Sequence, residues 1–291
     1  MTAVKTATYP ESAGLIRPLT PRRLLLTICG LYARDAGGSL PVAGLVALCG
    51  DAGVDEQAVR SAVSRLKRAG LLEPVRTAGG AAGYALSGEA REVLGEGDRR
   101  IFAPRRSAVA DGWVLAVFSV PERERRRRHE LRALLGRLGF GTVAPGVWVA
   151  PAGLREEAAA ALRRRGLDGY VELFRAQGPL TGEGGDPAEA VGRWWDLAAV
   201  RAAYQAFLAE FPAAPGRVAD GAAAFVRYAR LVTAWRRLPY LDPGIPVELL
   251  PAGFPAEHAA ARFRALRQAW EAAARTHAMA ALLQGRGDRG E

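Results

Sequence analysis

Residues 54–87 (VDEQAVRSAVSRLKRAGLLEPVRTAGGAAGYALS) constrain this chain more than any other stretch, because they join a one-sidedly cationic helix to a glycine-tipped pair of strands. Asp55 follows the turn 49–53 (CGDAG) and is placed as an N-cap, accepting from the free amides of the first turn. At about 100° per residue, Val59, Ala62, Val63 and Leu66 share one side of the helix. Gln57, Arg60, Ser61, Ser64, Arg65, Lys67 and Arg68 fill the opposite arc. That arc holds no acid; Asp55 and Glu56 sit in the first turn, where the helix dipole favours them. A solvated helix usually mixes both signs of charge, whereas Arg, Lys, Gln and Ser together suit phosphate oxygens and base edges. Gly70 stops the helix, Leu71-Leu72 begin an extended run, and Gly79, Gly80 and Gly83 permit a hairpin tip before Tyr84-Ala85-Leu86 returns. The alternative for the same residues is a helix–hairpin packing unit of an α/β protein.

Upstream residues favour the first reading. Residues 21–32 (PRRLLLTICGLY) place Leu24, Leu25, Ile28 and Leu31 at helical spacing, with Pro21 in a first-turn position where its missing N–H costs little. Residues 40–48 (LPVAGLVAL) read as a second, short apolar helix. Helix, helix, glycine turn, basic helix and hairpin, in that order, predict a winged helix-turn-helix.

The net charge of +10 points to a polyanionic partner, but Arg supplies nearly all of it, Lys5 and Lys67 being the only lysines, as a GC-rich genome would also produce. Position on one helix face therefore carries more than the total. No apolar run approaches the ~18 to 20 residues needed to span a bilayer. The N-terminal residues 1–17 read as a flexible lead-in without a signal peptide, which predicts a cytoplasmic protein with no membrane partner. Cys29 and Cys49 lie in apolar helical surroundings and read as buried free thiols. With His129, His258 and His277 scattered, no metal-ligand spacing, phosphate-binding glycine string or nucleophile with a partner base is visible, so no catalytic residue, metal or cofactor is assigned.

Residues 88–111 read as a linker: a short helix at 88–94, then a turn. Arg99, Arg100, Arg105 and Arg106 there either touch DNA backbone beside the wing or are simply solvated. Beyond it, residues 113–120 (WVLAVFSV) form an apolar strand ended by Pro121, and 122–138 a helix with Leu131, Leu134, Leu135 and Leu138 inward. Short strands at 141–144 and 147–150 flank Pro145-Gly146; a helix at 154–165 and a strand at 169–176 follow. This βαββαβ order predicts a ferredoxin-like unit with one bare sheet face, suited to dimerisation. Arg125 to Arg128 are interleaved with Glu122, Glu124 and Glu130 and read as a charged helix surface.

A Gly-rich linker at 181–186 precedes three predicted helices, at 186–211, 218–238 and 256–283, forming an aromatic-rich bundle. Most of its rings read as core. Trp194, Tyr228, Arg230 and Trp235 are candidates for a small-ligand site, the Arg for phosphate or carboxylate and the rings for an apolar wall.

With these parts in view, the chain resembles PaaX-family transcriptional regulators. The similarity is carried by Pro21-Arg22-Arg23-Leu24, Gly30-Leu31-Tyr32, the run 58–72, 83–87, Gly97-Asp98-Arg99-Arg100-Ile101-Phe102, 113–122, Leu131-Arg132, Gly139-Phe140-Gly141, Val147-Trp148-Val149-Ala150-Pro151, Leu238-Pro239-Tyr240-Leu241-Asp242-Pro243 and Leu249-Leu250-Pro251. It implies an α+β, multidomain chain: a winged helix-turn-helix (residues 18–87), a central ferredoxin-like, Cas2-like domain (112–178) and a helical C-terminal domain (186–284). It also implies a homodimeric repressor of double-stranded DNA, binding a palindromic operator and released by an acyl-CoA thioester or aromatic acid, as the best-known members are by phenylacetyl-CoA. The expected DNA contacts are Arg60, Ser64 and Arg65 at base edges, helped by Gln57 and Ser61. Lys67, Arg68, Arg76 and Arg22 are expected on phosphates, and Gly79 and Gly80 at the wing tip. The Cas2 likeness raises a second possibility, a metal-dependent nuclease. Such enzymes carry an Asp at the end of the first strand, where this chain has Ser119-Val120-Pro121, and the nuclease reading is set aside. A third is a protein-interaction module, in which the basic helix binds another protein and no duplex.

Overall fold

The computed structural model describes residues 19–104, 106–177, 185–216, 218 and 220–283; the expected lead-in, the linker glycines before Gly185, and Arg105 lie outside them. Two compact units emerge. Of the described residues, those of 19–99, 206–236 and 257–283 make one, and those of 100–205 and 237–256 the other.

The first unit begins with α1 (Pro21–Tyr32), β1 (Ser39–Pro41), α2 (Val42–Asp51), α3 (Glu56–Arg68), β2 (Leu72–Arg76) and β3 (Ala82–Leu86). The strands make an antiparallel sheet of order β1-β3-β2. Leu24, Leu25 and Ile28 of α1, Leu45 and Leu48 of α2, and Val59, Ala62, Val63 and Leu66 of α3 are buried. At about 2 kcal/mol for each large apolar side chain withdrawn from water, this core orients all three helices. Leu31 is only half-buried, and Tyr32 takes the inward position instead. The predicted second helix starts later than its apolar run. Pro41 holds φ −66° and ψ 143°, Leu40 before it is forced extended, and both residues pair with β3.

The helix α4 (Gly88–Phe102) is continuous, where a short helix and a turn are predicted at 88–94 and 95–102. Ser87 Oγ accepts from Ala90 N at 3.2 Å, Gly97 is buried, and Asp98 pairs with Arg34 beyond the end of α1. These contacts outweigh the roughly 1 kcal/mol that each internal glycine costs a helix. The unit also contains α9 (Gly221–Trp235) and α11 (Ala256–Leu283). Thr27 and Thr233 share a buried hydrogen bond of 2.8 Å between α1 and α9. From α11, Arg275 pairs with Asp35 at 2.9 Å and His277 with Asp51 at 2.7 Å. The α9 helix begins at Gly221 rather than 218 because Asp220 caps it, accepting from Ala223 N at 2.7 Å.

The second unit is built on β4 (Trp113–Phe118), α5 (Arg125–Leu138), β5 (Gly141–Ala144), β6 (Val147–Pro151), α6 (Arg155–Arg164) and β7 (Val171–Ala176). All pairings are antiparallel, in the order β5-β6-β4-β7, which is the predicted ferredoxin-like arrangement. Leu131, Leu134, Leu135 and Leu138 of α5 and Ala158, Ala161 and Leu162 of α6 pack on Val114, Ala116, Trp148 and Ala150.

The opposite sheet face is not bare. Trp113 and Val149 are buried there with Val191 and Trp195, together with Ile245 and Leu249 from the later segment. What stays open includes Val117, 38% exposed, and Phe174, 53% exposed. Covering this face also breaks the predicted 186–211 helix into α7 (Pro187–Trp194) and α8 (Leu197–Glu210). Trp195 turns extended and its indole N–H donates to the Gly139 carbonyl at 2.8 Å; Asp196 then recaps the chain by accepting from Ala199 N. A Cβ on Gly141 would lie 2.7 Å from the Trp195 ring, so only glycine admits this packing.

The helices of the expected C-terminal domain are present, and their aromatic rings enter two different cores. Trp194, Trp195 and Tyr204 belong to the unit with the four-stranded sheet; Tyr228, Trp235 and Trp270 belong to the other. In the unit with the four-stranded sheet the short α10 (Leu238–Leu241) is tied down by arginines. Arg100 donates to the carbonyls of Pro239 (2.8 Å) and Leu138 (2.7 Å), pairs with Glu157 at 3.0 Å, and lies over the Tyr240 ring. Arg106 pairs with the buried Asp242, which also accepts from Tyr204 Oη at 3.0 Å. Neither arginine is a free linker charge.

Two outcomes follow. Asp242→Ala takes the carboxylate from a partly buried Arg106 and should lower unfolding free energy by about 3 kcal/mol in a denaturant titration, with Tyr204→Phe costing less. Burial pushes the Cys29 and Cys49 thiols up to about 12. Native protein at pH 8 should therefore resist a thiol-reactive dye, and both cysteines should react once denaturant is added.

Candidate nucleic-acid interface

The α3 helix is positioned from both ends. Asp55 caps it, accepting from Ala58 N at 2.8 Å, and the buried stripe Val59, Ala62, Val63 and Leu66 fixes its rotation. Gln57, Arg60, Ser61, Ser64, Arg65, Lys67 and Arg68 are consequently all exposed, as the spacing predicts. Arg65, Lys67 and Arg68 also occupy the last turn, where the dipole favours cations.

One member of the set is engaged. Arg60 Nε donates to Glu56 Oε1 at 2.7 Å, so an acid of the first turn reaches the outer face expected to be free of acids. The i, i+4 spacing of Glu56 and Arg60 is itself the sequence signal for that pair. Both side chains are more than half exposed, and such pairs contribute only about 0.3–0.5 kcal/mol. A phosphate or base edge can displace Glu56 at little cost.

The hairpin is held from within. Thr77 N donates to the Ala81 carbonyl and Gly80 N to the Thr77 carbonyl; Gly80 adopts φ 76°. Arg76, expected on a phosphate, donates from Nη1 to the Gly80 carbonyl at 3.0 Å and so braces the tip while remaining exposed. Gly79 and Gly80 are exposed. Arg22 is exposed on the first turn of α1.

The third strand, missed from sequence, explains Gly83. It pairs with Pro41 of β1, and a Cβ there would stand 2.7 Å from both the Leu40 carbonyl oxygen and the Thr77 methyl. The available signal was Pro41 directly before an apolar helix, preceded by Gly37 and Gly38, both at positive φ.

The four candidate ligand residues are not gathered in one unit. Tyr228 and Trp235 are buried in the α-helical core; Trp235 stacks on Phe263 at 4.6 Å and Tyr228 Oη donates to Glu271 at 2.9 Å. Burial with the nearby Glu271 charge pushes the Tyr228 phenol well above its ordinary range. Arg230 is exposed and pairs with Glu210 at 3.4 Å. Trp194 sits half-buried in the other unit, edge-on to Trp195. Among the described residues, no group of three or more His, Cys, Asp or Glu is arranged to hold a metal ion, and no helix is long and apolar enough to cross a membrane.

Three helices with an antiparallel hairpin and a third strand define a winged-helix fold, whose third helix presents the polar, cationic face. Three family models match consecutive parts of the chain: PaaX-like protein over residues 20–90, the PaaX protein central Cas2-like domain over 106–191, and the PaaX-like protein C-terminal domain over 195–280. The chain belongs to the PaaX family. It is 27% identical to the transcriptional repressor PaaX of Escherichia coli K12 over 254 residues, covering 85% of this chain and 79% of that one. An uncharacterized protein of Mycobacterium tuberculosis of known structure is 28% identical, with a TM-score of 0.57, covering 90% of this chain and 99% of that one.

The tight seat of Gly83 gives a direct check. Gly83→Ala should destabilise the protein by about 1–3 kcal/mol in thermal or denaturant unfolding, because the backbone of β1 must shift. Gly79→Ala, at the exposed tip, should cost much less.

Proposed function

We propose that this protein is a non-enzymatic, sequence-specific transcriptional repressor that reads double-stranded DNA with α3 in the major groove and the β2–β3 wing beside it. The observation that carries this is the outward face of α3: seven exposed polar or cationic side chains, with the helix locked in rotation by a buried stripe. Arg65 and Ser64 read base edges, joined by Arg60 once Glu56 is displaced and helped by Gln57 and Ser61. Lys67, Arg68 and Arg22 hold phosphates, and the backbone at Gly79 and Gly80 approaches the duplex alongside. The name borne by the Escherichia coli relative supports repression as the outcome.

Two copies would bind a palindromic operator, placing two α3 helices on half-sites about one helical turn, or a multiple, apart. With most of the second sheet face occupied from within the chain, the dimer contact draws on what remains, including Val117 and Phe174. Release by an acyl-CoA thioester or aromatic acid is the regulation that the family resemblance suggests. Burial and existing partners make Tyr228 and Trp235 core residues first, so an effector site would have to be sought beyond the four candidates.

Gel-shift titration at fixed salt, using genomic fragments selected for binding, tests the reading. Arg65→Ala should weaken binding to the selected site by roughly 1–3 kcal/mol with little change on unrelated duplex. Lys67→Ala should weaken both alike and flatten the salt dependence. Glu56→Gln removes an acid and frees Arg60, so it should tighten duplex binding. Unchanged affinities for all three would place the duplex elsewhere.

A further inference from the structure

The helical face of the central domain holds more uncompensated charge than α3 does. Residues 122–165 contain eleven arginines and five acids, more than half of the chain's net +10. Interleaved glutamates make the arginine run look like a neutralised helix surface in the sequence. In the structure four of the five acids, all but the exposed Glu156, are spent on a subset. Glu130 pairs with Arg126 at 3.2 Å and Arg127 at 3.3 Å, Glu122 with Arg128 at 2.9 Å, Glu124 with Arg123 and the Tyr170 hydroxyl, and Glu157 with Arg100. Arg125, Arg132, Arg137, Arg155, Arg163 and Arg165 are all exposed, and no side-chain hydrogen bond or acid partner is seen for any of them among the described residues.

Their placement makes one surface. Both α5 and α6 bury their apolar sides on the same sheet face, so their outer sides point together into solvent. Arg137 and Arg165 lie close enough that the second adds to partial burial in lowering the first below its ordinary range. Four arginines also open α5, with no acid in its first turn, where the helix dipole disfavours cations. Arg128 is held there by Glu122 and the Val120 carbonyl, and Arg126 and Arg127 by Glu130, whereas Arg125 faces the dipole uncompensated, and an anion docked there would offset it. Neither α5 nor α6 contains Phe, Tyr or Trp, and His129 is the one ring on them, so the surface lacks the row of large rings on which single-stranded nucleic acid stacks. Exposed guanidinium groups presented from two adjacent helices suit the regularly spaced phosphates of a duplex.

We propose that the outer face of α5 and α6 is a second contact surface for the phosphate backbone of double-stranded DNA, adding affinity and no sequence preference. The proposal rests on the DNA-binding reading of α3. Its test is a salt titration of duplex binding by the full-length chain carrying Arg125→Gln, Arg132→Gln and Arg163→Gln. A control chain carries Arg91→Gln, Arg193→Gln and Arg264→Gln, the same change of charge at exposed positions outside α5 and α6. Each phosphate that is no longer neutralised should flatten the slope of log K against log salt by about 0.9, so the triple variant should flatten it by about 2 to 3 and the control by distinctly less. The ratio of operator to unrelated-duplex affinity should stay at the wild-type value, and the melting temperature should not fall.

A slope equal to that of the wild type or of the control overturns the proposal, and so does an effect confined to single-stranded RNA. If Arg65→Ala still loses operator preference in that case, the α3 reading stands alone. A wild-type chain that binds no duplex at any salt concentration removes both.

Discussion

The apolar stripe of Val59, Ala62, Val63 and Leu66 is the contact on which the functional surface depends. These side chains fit against α1 and α2, and burying them leaves no rotational choice for the polar arc. Turning α3 by a quarter would expose two or three of them and bury an arginine, costing several kcal/mol in each direction. The cationic face is thus a consequence of core packing as much as of its own residues. The wing inherits the same rigidity, since β3 lies between β1 and β2 and Gly83 admits β1 at close range.

Charge alone says little about this chain, because arginine dominates its basic residues throughout. What separates one arginine from another is the company it keeps. Arg100 and Arg106 spend their donors on backbone carbonyls and carboxylates that fasten α10 and the segment after it. Arg76 braces the hairpin, and Arg60 rests on Glu56 at little energetic cost. Arg65 and Arg68 lie on the outer face of α3 with no such tether among the described residues.

Much of the fold was legible in the sequence because its signals are local. The N-cap at Asp55, the helical spacing of α3, the glycine-tipped hairpin and the βαββαβ alternation all lie within short windows. The misread elements are those decided by distant contacts. Trp195 leaves its helix to reach the Gly139 carbonyl, and α4 runs through two glycines because Arg34 and Ser87 hold it. The strand β1 is three residues long and exists only because β3 is beside it. Aromatic periodicity along the C-terminal third marked buried rings correctly, yet it carries no information on which core each ring enters. That is why Trp194, Tyr228 and Trp235 were grouped and the fold divides them.

The most direct measurement is methylation interference on a selected operator fragment. Guanine N7 lies in the major groove, so a methyl group there blocks a helix that docks in that groove. Two clusters of interfering guanines, about one helical turn or a multiple apart, are the predicted pattern, with interference at one position per half-site absent in Arg65→Ala. Binding that tolerates N7 methylation throughout the protected region would contradict a major-groove role for α3.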